Sequence, residues 1–203
     1  MANSNRRVDR RIQRTRQVLR QAFMDVLLEK GFAATSVQDV TEQANVNRGT
    51  FYIHFADKYE LLDAVMREQF QQQLASRLPP DSRWDRQSLR LLIHAVQDNF
   101  ESKYRHQRRP SPILAEVAPL LERAVHDELR ELLMMWLKQA GYPATQRYVP
   151  LETITRVVSW AIFGAALQWS QEPATVSSEQ MASDMLLVIL EGVVHLAPEL
   201  LPE

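Results

Sequence analysis

The nine residues Asn47-Arg48-Gly49-Thr50-Phe51-Tyr52-Ile53-His54-Phe55 gather an amide, a guanidinium, a hydroxyl, a phenol and an imidazole around two phenylalanines. Polar and aromatic groups on one side of a short helix, with apolar anchors on the other, suit the major groove of a duplex, which is about 12 Å wide and admits one helix. Asn47, Arg48, Thr50, Tyr52, Ile53 and His54 would then face outward, and Val46, Phe51 and Phe55 would face a core. Gly49 lets a phosphate or base come close. Arg48 can read guanine or pair with phosphate, Thr50 can meet a base or the backbone, and Tyr52 and His54 can donate to phosphate oxygens. Lys58 adds its own charge and a helix N-terminus for phosphate.

Other chemistry finds little footing. There is no cysteine, which removes disulfides, thiolate metal clusters and cysteine nucleophiles. The five histidines, His54, His94, His106, His126 and His195, are dispersed. Glu122 with His126 and Glu191 with His195 read as helix-surface ion pairs. No Glu-x-x-His pair repeats, so a di-iron bundle is absent, and no phosphate loop, nucleophile elbow or dinucleotide fingerprint appears. No catalytic residue, metal or cofactor is expected, and the chain is not expected to be an enzyme.

The elements that must hold the polar run in place are helices. Ile12, Leu19, Phe23, Val26 and Leu27 recur at helical spacing from about Asp9 to Lys30, and Gly31 is a plausible stop. Ser36 with Asp39 three residues later is a capping arrangement for a short helix to Ala44. A turn at Asn45 to Asn47 leads into the helix Asn47 to His54, a helix-turn-helix pattern. Asp57 with Glu60 caps a longer helix ended by Pro79 and Pro80. Further helices are expected to about Tyr104, over Ile113 to Ala118, Pro119 to Ala140, Leu151 to Ser170 and Ser177 to Leu196. That makes an all-α chain of about nine helices, and no convincing strand pattern, internal repeat or low-complexity segment competes.

Charge follows the same division. The chain has 203 residues with 24 Lys and Arg against 25 Asp and Glu. Residues 1 to 58 hold ten basic and six acidic side chains, and the remainder holds fourteen and nineteen. Seven of the basic residues lie between Arg6 and Arg20, opposed there by Asp9 alone. Such polarity suggests a polyanion partner for the N-terminal part, the competing explanation being a solvated arginine-rich helix face. Two domains are expected, 1–57 and 58–203, with 1–8 as a basic arm. The charge-free stretch Val157 to Gln171 is too short for the roughly 20 apolar residues of a spanning helix, and no hydrophobic block opens the chain. A soluble, cytoplasmic protein with no membrane partner is expected.

The run from Arg14-Thr-Arg through Ala22-Phe23, Lys30-Gly31-Phe32, Thr35-Ser36-Val37-Gln38-Asp39-Val40 and Asn47 to Phe55, with Lys58, Leu61 and Leu62, closely resembles the TetR family of bacterial transcription regulators over about residues 9 to 66. The Gly-Thr-Phe-Tyr-x-His-Phe run with a lysine three residues beyond Phe55 is that family's signature. The resemblance implies an all-helical homodimer whose N-terminal three-helix domain binds operator DNA and whose C-terminal helical domain binds a small ligand. By matching position it implies groove and backbone contacts from Gln38, Arg48, Gly49, Thr50, Tyr52, Ile53 and His54, with Lys58 and the helix start at Ser36 and Val37 on phosphate. Thr41 and Asn45 stand where the family usually has Ala and Gly, and Asn is the next best residue for a positive φ. In some relatives an N-terminal arm reaches the minor groove or backbone; Arg6, Arg7, Arg10 and Arg11 have the charge for it, the alternative being a frayed tail.

In the second half, Met185 to Leu190 is apolar on every side and so must be covered on every side, by its own core on one face and a symmetry mate on the other. Ala161, Gly164, Ala165 and Gln168 form a narrow stripe that would let another helix approach. The resemblance points to the same two helices as a dimer seam, for which Ala161, Gly164, Ala165, Gln168, Leu186, Ile189 and Val193 are the candidates. Met66, Phe70, Phe100, Tyr104, Met134, Trp136, Trp160 and Phe163 could line an apolar ligand cavity or simply fill a core. The expectation is a ligand-responsive dimeric repressor of a palindromic operator; the alternative is a helical ligand-binding or enzymatic bundle without specific DNA binding.

Overall fold

A computed structural model describes residues 2–105, 112–141, 149–172 and 176–196, with the backbone alone for 2–9, 103, 105, 112, 114 and 193–196. The described residues form eight α-helices and one π-helical turn, and no strands: α1 Ala2–Lys30, α2 Val37–Gln43, α3 Arg48–His54, α4 Lys58–Arg77, α5 Arg86–Phe100, the π turn Glu101–Arg105, α6 Pro112–Gln139, α7 Leu151–Gln171 and α8 Ser178–Leu196. Two compact units result, one of residues 1–66 with 111–121 and one of residues 67–110 with 122–203. Among the described residues no helix is long and apolar enough to cross a membrane.

In the first unit, Leu19, Ala22, Phe23, Val26 and Leu27 make the buried stripe of α1, at the spacing of one helix face. Gly31 ends α1 at φ +79°, a conformation that costs glycine nothing, and its N–H bonds the Leu27 carbonyl at 2.9 Å. Ser36 caps α2 with a full capping box: its Oγ accepts from Asp39 N–H while the Asp39 carboxylate accepts from Ser36 N–H. Phe32, Val40, Phe51, Phe55, Leu61, Leu62 and Val65 complete this core.

In the second unit α5 packs against both α7 and α8. Asp85 caps α5 by accepting from Ser88 N–H at 2.7 Å. The fully buried Gln97 is satisfied at the start of α8, where its Nε2 donates to the Ser178 carbonyl at 3.1 Å and its Oε1 accepts from Ser178 Oγ at 2.9 Å. An unpaired amide at that depth would be costly, so this pair fixes the register of α8 on α5.

Local rules fail at two helix ends. α1 starts at Ala2 instead of about Asp9. The two helices expected on either side of Pro119 are one helix, α6, with Pro119 inside it. Interior proline costs about 3 kcal/mol; here Pro119 and Ala115, whose carbonyl loses its partner, are both exposed, while Val117, Leu121, Ala124 and Val125 are buried along the helix to either side. Water solvates the broken bond and burial carries the helix through.

Candidate nucleic-acid interface

The turn between α2 and α3 decides how α3 is presented. Asn45 sits at φ +52°, the left-handed conformation in which Asn is the best tolerated residue after Gly. Val46 N–H returns to the Thr41 carbonyl at 3.0 Å. Thr41 itself is buried, and its hydroxyl donates to the Gln38 carbonyl at 3.0 Å, so the extra oxygen relative to alanine is satisfied. Asn45 and Thr41, the two departures from the expected pattern, are thereby both accommodated in the turn.

Asn47 then caps α3, its Oδ1 accepting from Gly49 N–H at 2.7 Å. A Cβ on Gly49 would lie 3.3 Å from that oxygen, so glycine here keeps the cap close. Phe51 and Phe55 are buried, and the Arg16 guanidinium lies 4.7 Å from the Phe55 ring centre. With one side anchored, the other is free: Tyr52 is 51% exposed, Ile53 79%, and Arg48 and Asn47 are also exposed. Arg48 Nη2 and Tyr52 Oη approach to 3.5 Å, one helical turn apart. His54 is half-buried, and burial, then the nearby Arg16 charge, hold its pKa below the usual histidine value. A polar trough of about 720 Å³, lined by Gln38, Glu42, Asn45, Asn47 and Arg48 among others, runs beside α3. Gln38 is exposed and its amide donates to Glu42 at 2.8 Å.

Two residues expected on phosphate have other partners. Lys58 Nζ donates to the carbonyls of Phe32 at 2.9 Å, Ala33 at 3.2 Å and Thr35 at 2.9 Å, and lies 4.6 Å from the Phe32 ring centre. All three ammonium donors are used inside the protein, where they tie the α1–α2 turn to the start of α4. The Ser36 hydroxyl is committed to the capping box, and beside it Asp39 is held well below the ordinary carboxylate pKa by Lys30, at 2.7 Å, and by Ser36. Val37 is half-buried. Glu116, which sequence reasoning missed, completes the clamp: its Oε2 accepts from Phe32 N–H at 2.8 Å. Phe32 is thus held by its carbonyl and by its amide. No local signal marks Glu116, because the two residues are 84 positions apart.

Of the expected cavity residues, Met66 belongs to the first unit and the others lie in the second, where four of them pack together with His126. The rings of Phe100, Tyr104, His126, Trp160 and Phe163 form one cluster, with centroids 5.3 Å apart for Phe100 and Phe163 and 4.1 Å for His126 and Trp160. Met66, Phe70, Phe100, Trp136 and Phe163 are buried, Met134 is half-buried with its sulfur 3.9 Å from Thr155 Oγ1, and Trp160 is 54% exposed. His126 is no surface partner of Glu122: it is buried with Nε2 3.2 Å from Ser159 Oγ, and burial lowers its pKa. Glu122 instead accepts from the Tyr104 hydroxyl at 3.0 Å; burial, then Glu122, raises that phenol's pKa. A groove of about 370 Å³ takes Trp136 from the expected set, and Leu74, Leu78, Pro79, Leu132 and Met135 besides.

On α7, Ala161 and Gln168 are exposed, and Gly164 and Ala165 are half-buried. On α8 the phase differs from that expected: Leu186 and Ile189 are buried in the chain's own core, while Leu187 (50% exposed) and Val188 (71%) face outward. A helix apolar all round carries no periodic signal to set its rotation, and the packing against α5 sets it instead. The side chains of Val193 and His195, and the arm residues Arg6 and Arg7, lie outside the described residues, whereas Arg10 and Arg11 are exposed on α1.

Residues 19–65 match the family model for bacterial regulatory proteins of the tetR family. An uncharacterized HTH-type transcriptional regulator of Bacillus subtilis, YxbF, is 44% identical over 63 residues, which are 30% of this chain and 17% of that protein. An HTH-type transcriptional repressor of Mycobacterium tuberculosis is 33% identical over 108 residues, 50% of this chain and 54% of its own. The chain thus spans about half the length, or less, of these curated relatives. Among solved structures, a TetR transcriptional regulator from Streptococcus agalactiae superposes with a TM-score of 0.52 at 21% identity, covering 89% of this chain and 96% of that one. RolR in complex with resorcinol gives 0.50 at 18%, covering 96% and 98%. The similarity to the tetR family of bacterial regulatory proteins thus rests on the N-terminal helix-turn-helix segment, residues 19–65.

Proposed function

We propose that this protein is a dimeric, ligand-responsive transcriptional regulator, a repressor that leaves a palindromic operator when a small molecule binds it, acting in the cytoplasm. The observation that carries the reading is α3 itself: Phe51 and Phe55 are buried while Arg48, Tyr52 and Ile53 stand in solvent on the opposite side. Residues 1–57 would be the DNA-binding domain and residues 58–203 the ligand-binding and dimerisation domain. Asn47, Arg48, Gly49, Thr50, Tyr52, Ile53 and His54 form the contact surface, with Gln38 beside it. The match to regulators and to a repressor supports the same reading.

A second copy would cover Val157, Trp160 and Ala161 of α7 with Leu187 and Val188 of α8, the exposed apolar face of the second unit. Twofold symmetry then places two α3 helices on half-sites about 34 to 36 Å apart, or a multiple of that. A ligand releases the dimer only by the amount that it prefers the form that does not bind DNA. Retardation of a duplex selected from a random pool tests the reading. Binding should weaken steeply with salt and be lost in Arg48→Ala and Tyr52→Ala; binding indifferent to salt and to both substitutions refutes it.

A further inference from the structure

We propose that Ile53 is a specificity-determining residue that reads the C5 methyl group of thymine. The proposal rests on the reading of α3 as the DNA-contacting helix. Among the described residues Ile53 is the most exposed large apolar side chain, at 79%. Its polar neighbours on the outward side of α3 have partners within the chain: Asn47 bonds Gly49 N–H, and Arg48 approaches Tyr52. A hydrocarbon side chain in that setting makes no hydrogen bond to protein, phosphate or base. It gains only by leaving water against another apolar group.

The major groove offers few such groups. Guanine, adenine and cytosine present acceptors and donors there, and thymine alone adds a methyl. Set against that methyl, Ile53 removes apolar surface from water on both sides; set against cytosine, it strips water from an amino group that it cannot satisfy. Thr50 also carries a methyl, but it is half-buried, so it offers less apolar surface than Ile53. Ile53 therefore separates thymine from cytosine at one position of each half-site through the methyl rather than through a hydrogen bond.

Replacing thymine by uracil deletes that methyl and leaves every hydrogen-bonding group in place, so it is the direct probe. In the selected duplex, uracil is substituted at one symmetric pair of thymines at a time and binding is measured by fluorescence anisotropy. One pair should weaken the wild-type protein about fourfold per half-site, or about fifteenfold for both, the effect of burying one methyl-sized group at each. Ile53→Ala should bind the thymine and uracil duplexes alike, while Ile53→Val keeps most of the difference. Ile53→Ala removes no buried contact, so an unchanged melting temperature confirms that the fold is intact. If no thymine pair responds by more than twofold, or if the response survives Ile53→Ala, the proposal is overturned. Failure of the DNA-binding reading looks different, since then no duplex is selected.

Discussion

The two roles open to Lys58 make opposite demands. As an internal tie it holds three carbonyls, two of them part-buried and the one on Ala33 exposed. Each part-buried bond contributes on the order of 1 kcal/mol net of water, and the ammonium over the Phe32 ring adds roughly 0.5–1 kcal/mol. Lys58→Met keeps most of the stem and should therefore cost about 2–3 kcal/mol, which lowers the melting temperature of a chain this size by roughly 4–12 °C. Its effect on DNA binding should be small once the folded fraction is matched, and the slope of log K against log salt should not change. A phosphate contact would behave the other way, with stability unchanged and the slope smaller by about 0.9 for each half-site. Thermal unfolding by circular dichroism and salt-titrated anisotropy on the same preparation decide between them. A flattened slope at constant melting temperature would refute the tie.

Four further outcomes follow from the geometry. Phe51→Ala empties the fully buried centre beneath α3 and should cost about 3–5 kcal/mol by chemical denaturation, abolishing DNA binding with it. Asn45→Ala should cost about 1 kcal/mol at its positive φ, whereas Asn45→Gly should be within a few tenths of neutral. His54 and His126 both have folded pKa values below the unfolded one, so their contribution to stability is present above about pH 6.5 and is lost as pH falls through the folded values. Melting temperatures should decline from pH 6.5 to 5, and His54→Gln and His126→Gln should each flatten that decline. Val188→Glu, at a position 71% exposed, should leave the helical spectrum unchanged and convert a dimer into monomers in sedimentation velocity.

The α2–α3 helix-turn-helix was legible because its determinants are local. Ser36 with Asp39 and the positive φ of Asn45 act within three residues, and the structure realises both; the Asn47 cap on Gly49 N–H is equally local but was not read from the sequence. For Lys58 the sequence offered only an ammonium near a helix start, and a phosphate and a turn of carbonyls both present oxygens to it; the packing of α4 beside the α1–α2 turn brings the carbonyls within reach. Pro119 misled because a local rule was weighed without the burial of Val117 and Leu121 along the same helix. On α8 a run of apolar residues carried no signal for which of them face the core, so Leu186 and Ile189, expected at a dimer seam, are buried in the chain's own core while Leu187 and Val188 are exposed. His126 went unrecognised because its stacking partner Trp160 and its hydroxyl partner Ser159 both lie on α7, over thirty positions away.

The bond from Glu116 to the Phe32 amide also orders events during synthesis. Residues 1–66 emerge from the ribosome first, but the unit that they build also contains residues 111–121. At roughly 5–20 residues per second the missing segment follows about 2–9 s later. Throughout that interval the nascent head has no carboxylate for Phe32, so it waits, incomplete, for a strip of chain made only after α5.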